Sequence, residues 1–177
     1  VIEEKTRVNA ISTVYNTFQS IEENGTLDVP SLQKVTDSIV FDLFNNHDNL
    51  VQLTDIRTHD AYTFAHSVNV AVLSAMMGML CHLPKEELSI ITLGGLLHDL
   101  GKIDVHADIL NKNRSLTTNE FDIMKKHPND GARRILKIKN LPKASILAAI
   151  ASQHHEHIDG TGYPRGIKGE EMHRYAK

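Results

Sequence analysis

Apolar residues recur along the chain at helical spacing and hardly anywhere with the strict alternation of a half-buried strand, so the pattern predicts an all-α protein. Val8, Ile11, Val14, Tyr15, Phe18 and Ile21 form one stripe and predict a first helix over about Ile2 to Glu23, ended by Asn24-Gly25. Pro30 suits a first helical turn, and Leu32, Val35, Ile39, Val40 and Leu43 predict a second helix behind it. A long helix is expected from about Asp60 to Cys81, broken at Leu83-Pro84. The next starts at Pro84, carries Glu86 and Glu87 in its first turn, and runs through Leu88, Ile91, Leu96 and Leu97 to Asp99. Gly94 and Gly95 weaken it, which close approach of a neighbouring helix explains. Thr117 and Glu120 fit a capping box for a short helix ending near His127-Pro128. Further helices are expected over Asp130–Ile138 and from Pro142 to about Glu156, followed by the loop Asp159-Gly160-Thr161-Gly162-Tyr163-Pro164.

Composition narrows the class. With 177 residues, 41% apolar and 23% charged, the chain has the material for one domain with a real core, or one domain plus a short adaptor. A formal net charge of −3 provides no basic field, so DNA is not an expected partner. An anionic substrate then needs local positive charge from metal ions or placed Lys and Arg. Cys81 is the single cysteine, which excludes an internal disulfide and a Cys-rich zinc site; lying in an apolar run, it is expected to be a buried thiol. The apolar stretch from Val68 to Leu83 contains Asn69, Ser74 and His82 and is too short for a good membrane span. No signal-peptide pattern opens the chain, and cytoplasmic exposure is the default expectation. Opening at Val1 and closing at Lys177 in a helix-like stretch, the chain reads as a fragment of a longer protein.

Eleven histidines against four tyrosines change the picture, and their placement carries the argument. His66 lies mid-helix in an apolar setting. His98-Asp99 tips the apolar fourth helix, with Lys102 close behind. His127 again stands at a helix end, and His154-His155-Glu156 follows the apolar run from Ile146 to Ala151. Each histidine alone suits a hydrogen-bonded core residue. Four helices that all bring imidazole, once with carboxylate, to buried positions suit convergence on a cation, which offsets the cost of burying such groups. Imidazole and carboxylate without thiolate favour iron, manganese or zinc over magnesium or calcium. Five histidines and an aspartate exceed one ion's needs, whereas a carboxylate can bridge two. Two-metal sites generate hydroxide near neutral pH and clamp the attacking and leaving oxygens of a phosphoryl displacement. Lys102 can steady phosphate charge there, or stand solvated. Arg133, Arg134, Lys137 and Lys139 could face the substrate entrance, with a solvated helix face as the preferred reading.

The ordered set is similar to the HD-GYP signature: Tyr62-Thr63-Phe64-Ala65-His66-Ser67, His98-Asp99-Leu100-Gly101-Lys102, Lys126-His127-Pro128, then His154-His155-Glu156 with Asp159 to Pro164. The resemblance covers residues 58–177. It implies an HD-domain-like helical core with N-terminal helices, residues 1–57 forming an adaptor or cap. It further implies a phosphodiesterase that hydrolyses cyclic di-GMP to pGpG, GMP or both through a metal-bridging hydroxide. By motif position, His66, His98 and Asp99 would bind one metal, and Asp99 would bridge to a second held by His127, His154 and His155. Lys102 would contact a substrate phosphate. The expected cofactors are two divalent transition-metal ions, iron or manganese first, with zinc, nickel or cobalt also suited. The loop with Gly160, Gly162, Tyr163 and Pro164 would meet a signalling protein of diguanylate cyclase or another type, or serve only as a structural turn; glycines there permit a tight turn that Pro164 rigidifies. An upstream sensor domain and a homodimer are compatible with the family.

Three departures are visible. The family's later Ala-Asp helix, whose aspartate completes the first metal's shell, is not reached by Lys177. Tyr62 stands where three-metal members carry glutamate, which favours two metals, and His157 replaces a common arginine and is read as a surface residue. The alternatives are an HD hydrolase of another nucleotide and a non-catalytic module that binds cyclic di-GMP or a protein.

Overall fold

The computed structural model describes residues 2–45 and 61–177, with side chains in the second stretch from residue 64 onward. The described residues are helical and include no strand: α1 (Glu4–Asn24), α2 (Val29–Asn45), α3 (Ala61–Leu80), α4 (Lys85–Leu97), a 3-10 turn (Leu100–Asp104), α5 (Ala107–Leu110), α6 (Thr118–Met124), α7 (His127–Lys137) and α8 (Ala144–Gln153). They fall into two compact units, one ending at Leu96 and the other running from Leu97 to Lys177. The expected boundary between residues 57 and 58, and the side chain of Tyr62, lie outside the described residues.

In the first unit α1 packs on α2 and α3. Gly25 closes α1 in the left-handed region at φ 65°, its N–H donating to Ile21 O over 3.0 Å, as the Asn24-Gly25 signal predicts. Asp28 caps α2 by accepting from the Ser31 N–H at 3.1 Å. All five apolar positions expected of α2 are buried, each contributing about 1.5–3 kcal/mol. The buried face of α1 is rotated from the expected stripe: Arg7, Ala10, Val14, Thr17, Phe18 and Ile21 are inside, whereas Val8 and Tyr15 are exposed. Arg7 gains a place inside through Asn69 Oδ1 on α3, and Tyr15 keeps an edge contact with Phe64. Gly95 explains itself: a Cβ there would lie 2.6 Å from the Ala71 Cα, so only glycine lets α3 and α4 approach this closely. Cys81, expected inside, is exposed, because the chain leaves α3 at Leu80 and the thiol falls in the turn beyond it.

In the second unit α7 packs on α8 and on the 3-10 turn, around Leu97, Leu100, Ile135, Leu147 and Ala151. The capping box forms at α6: the Glu120 N–H donates to Thr117 Oγ1, and the Thr117 N–H donates to Glu120 Oε2 at 2.7 Å. That helix ends at Met124 and not at His127. His127 opens α7, since Pro128 has no N–H to place and its fixed φ suits a first turn.

Candidate metal centre

The second unit holds its chemistry at helix ends. His98-Asp99 follows α4 and leads into the 3-10 turn, His127 starts α7, and His154 and His155 follow the last residue of α8. Two glycines bring the first pair of segments together. A Cβ on Gly101 would lie 1.9 Å from the His127 carbonyl oxygen and 2.4 Å from the Gly131 nitrogen. The chain therefore passes the start of α7 at backbone distance only because position 101 has no side chain.

Asp99 sits at the focus, 1% exposed. Its Oδ1 faces His127 Nε2 at 3.3 Å and His154 Nε2 at 3.6 Å, while Oδ2 faces His98 Nε2 at 3.2 Å and Lys102 Nζ at 2.7 Å. The two nitrogens His127 Nε2 and His154 Nε2 are themselves 3.2 Å apart. His155 closes the group, its ring centroid 5.1 Å from that of His127 and 4.2 Å from that of His154. One donor atom from each of Asp99, His127, His154 and His155 lies within 4.8 Å of every other.

The tautomers decide what this cluster is for. His127 Nδ1 meets Met124 O at 2.7 Å, and His154 Nδ1 meets Ala151 O at 2.8 Å. A carbonyl only accepts, so each Nδ1 carries a proton, and a neutral ring with its proton there turns an Nε2 lone pair inward. Two imidazole lone pairs and a carboxylate oxygen then converge in a buried space, an arrangement that repels itself unless a cation lies among them. Backbone carbonyls that fix the outer nitrogen are also the usual support of metal-bound histidine. Burial, with the charge of His98, keeps His154 below its ordinary value against the pull of Asp99. Burial and the neighbouring His154 and His127 push His155 down to about 3. Both rings are thus neutral at pH 7, the form a metal needs. The donor set fits a divalent transition ion.

The remaining expected residues are placed as follows. His66 belongs to α3 of the first unit. Lys102, whose solvated alternative was open, is instead tied to Asp99. His157 is at the surface, where Nδ1 meets Thr161 Oγ1 at 2.9 Å. In the loop, Gly160 adopts φ 83°, and a Cβ on Gly162 would come within 2.3–2.5 Å of the backbone of residues 155–157. The loop accordingly lies against the segment that carries His155. Tyr163 donates its N–H to His155 O at 3.0 Å and stacks its ring on that imidazole, followed by Pro164 across a cis peptide. Glu156, left without a role in the sequence, is a buried clamp: its carboxylate accepts from Arg165 N at 2.8 Å and Ile167 N at 3.1 Å. The Tyr163 stack was equally invisible in the sequence, where the two rings stand well apart.

A helical fold with histidine and aspartate gathered at helix ends around a cation site defines an HD-type domain. The HD domain family matches residues 43–177, and the chain belongs to that family. A cyclic di-GMP phosphodiesterase of Pseudomonas aeruginosa is 33% identical over 168 residues, covering 95% of this chain and 40% of that protein. A 3'3'-cGAMP-specific phosphodiesterase of Vibrio cholerae is 33% identical over 108 residues, 61% of this chain and 24% of that one. The chain therefore spans less than half the length of these relatives. Among solved structures, the HDG"Y"P protein Bd1817 of Bdellovibrio bacteriovorus shares the fold with a TM-score of 0.72 at 24% identity, over 97% of this chain and 55% of that one. The HD-GYP resemblance carried by the motifs agrees with these likenesses. No helix among the described residues is long and apolar enough to cross a membrane.

Proposed function

We propose that the chain is the metal-dependent phosphodiesterase part of a longer protein and that it hydrolyses cyclic di-GMP to pGpG, GMP or both. The observation that carries this reading is the inward convergence of His127 Nε2, His154 Nε2 and Asp99 Oδ1 in a buried space. The names of the Pseudomonas and Thermotoga relatives support cyclic di-GMP as substrate. In this reading His127, His154 and His155 would hold one ion, His66 and His98 would serve a second, and Asp99 would serve both; iron or manganese would suit the donors best. A divalent pair supplies Lewis acidity and water activation when bound. The protein's own part is to turn the His127 and His154 Nε2 atoms inward, to exclude bulk water from Asp99, and to present Lys102 at the rim. Lys102, with a side chain 24% exposed, would meet a phosphate oxygen as negative charge develops on it.

A second reading draws on the Vibrio relatives: 3'3'-cGAMP as substrate of the same centre. Metal analysis of anaerobically purified protein, combined with product chromatography for both cyclic dinucleotides with and without Mn(II) or Fe(II), tests the proposal. Turnover that needs the metal and prefers cyclic di-GMP is expected. Preference for cGAMP selects the second reading, and tight nucleotide binding without any turnover turns the chain into a signalling module. The loop of Gly160, Gly162, Tyr163 and Pro164 as a contact for another protein, a sensor upstream and a homodimer are part of the same proposal.

A further inference from the structure

Beside the metal centre the second unit carries a cleft of about 590 Å³, walled by α6, the start of α7 and the loop after Gly162. Four cations line it, Lys125, Lys126, Arg133 and Arg165, against the single acid Asp122. This stands out in a chain whose formal net charge is −3. Two of the four are already compensated: Lys125 Nζ reaches Asp122 at 2.6 Å and Arg133 pairs with Asp130. Among the described residues no carboxylate pairs with the side chain of Lys126 or Arg165, and both are exposed. Tyr163 joins the cleft to the centre, for it lines the cleft while its ring lies on His155, centroids 4.6 Å apart. Nothing the proposed ligand set uses requires these charges.

We infer that the cleft is an anion subsite that takes the second phosphate of a nucleotide whose scissile phosphate lies at the metal centre. The inference rests on the phosphodiesterase reading for the position of the scissile group. The size is that of a pocket for a nucleotide-sized ligand, within the range of about 300–1,000 Å³ usual for such sites, and does not suit an extended polyanion. Arg165 offers a planar fork to a phosphate and Lys126 a point charge, both without a competing carboxylate. A substrate with one phosphate leaves the cleft unused. One with two gains an attachment that fixes which phosphodiester faces the ions.

Equilibrium dialysis of labelled cyclic di-GMP against the full chain in EDTA reads the cleft without turnover. The wild type is expected to bind, and Lys126→Gln/Arg165→Gln to bind about tenfold or more weakly, while Lys126→Arg/Arg165→Lys keeps most of the affinity. Guanosine, which has no phosphate, should bind all three proteins alike. No binding by the wild type, or equal binding by the Gln/Gln variant, overturns the subsite. Competition by GTP as strong as that by unlabelled cyclic di-GMP retains the subsite and assigns it to a nucleotide polyphosphate. Hydrolysis of bis-p-nitrophenyl phosphate, a one-phosphate ester, by the Mn(II)-loaded wild type tests the metal-centre reading separately. Its absence removes that reading and leaves the dialysis result standing.

Discussion

Tyr163 lies flat on His155, the ring planes 18° apart and the centroids 4.6 Å apart, while its own N–H is held by the His155 carbonyl. The loop thus fixes the imidazole from outside, at both its ring and its backbone. This makes Tyr163 a positioning residue for a proposed ligand. Supports of that kind typically contribute about 10–100-fold in metal affinity. Tyr163→Ala is expected to weaken Mn(II) binding by about tenfold, and Tyr163→Phe, which keeps the ring, to restore it. Competition titration with a chelating dye measures both. Equal loss in Phe and Ala would shift the role to the hydroxyl and remove the stacking argument.

Asp99 and Lys102 touch at 2.7 Å but should fail in different ways. Asp99→Ala removes the carboxylate that three histidines face, so metal content and turnover fall together, turnover by about 100-fold or more. Lys102→Ala should lower turnover while the metal content stays, because its ammonium is a donor and never a ligand. Elemental analysis beside initial rates separates the two. Full metal stoichiometry in Asp99→Ala counts against the bridge, and metal loss in Lys102→Ala shows that the lysine holds the carboxylate in place.

Gly101 and Gly131 form a graded pair. A methyl at 101 would meet the His127 carbonyl at 1.9 Å, whereas one at 131 would meet the Gly101 nitrogen at 3.0 Å. Backbone cannot swing aside as a flexible side chain can. Gly101→Ala should therefore cost at least about 1–3 kcal/mol, and shift His127 off Asp99; Gly131→Ala should cost less. Urea midpoints and Mn(II) affinity report the two effects. A Gly101→Ala protein as stable as the wild type would mean that α7 approaches the turn less closely than these distances state.

Much of this was legible in the chain, for physical reasons that also mark the limits. The stripe of α2 is read correctly because its buried positions are simply its apolar ones. The face of α1 is misread because burial there follows a partner: Arg7 goes inside with Asn69, and Val8 is left out. Residue types pointed to a cation site around Asp99, but not to which ring nitrogens face it. That depends on Met124 O and Ala151 O, backbone atoms at helix ends that no side-chain pattern encodes. The basic face of α7 is likewise only half solvated. Arg134 grips Asp104 with bonds of 2.8 and 2.6 Å, a contact 30 residues away in sequence.

The capping box of α6 has a pH signature. Lys112 donates to Glu120 at 2.5 Å, and with the Thr117 N–H it pushes the carboxyl down to about 2 from 4.5. A carboxyl lowered on folding contributes stability that is fully present above its unfolded value and disappears as pH falls through its folded one. The advantage of the wild type over Glu120→Gln should therefore be flat above pH 4.5 and close between there and pH 2. Comparing the two proteins at each pH cancels the histidines, which titrate in both. Lys112→Ala should shrink the gap at neutral pH, because the largest cause of the shift has gone. Thermal melts by circular dichroism across that range give the answer. A gap that persists unchanged at pH 2 would show that the protonated carboxyl serves the cap as well as the carboxylate, and that charge contributes nothing at this helix end.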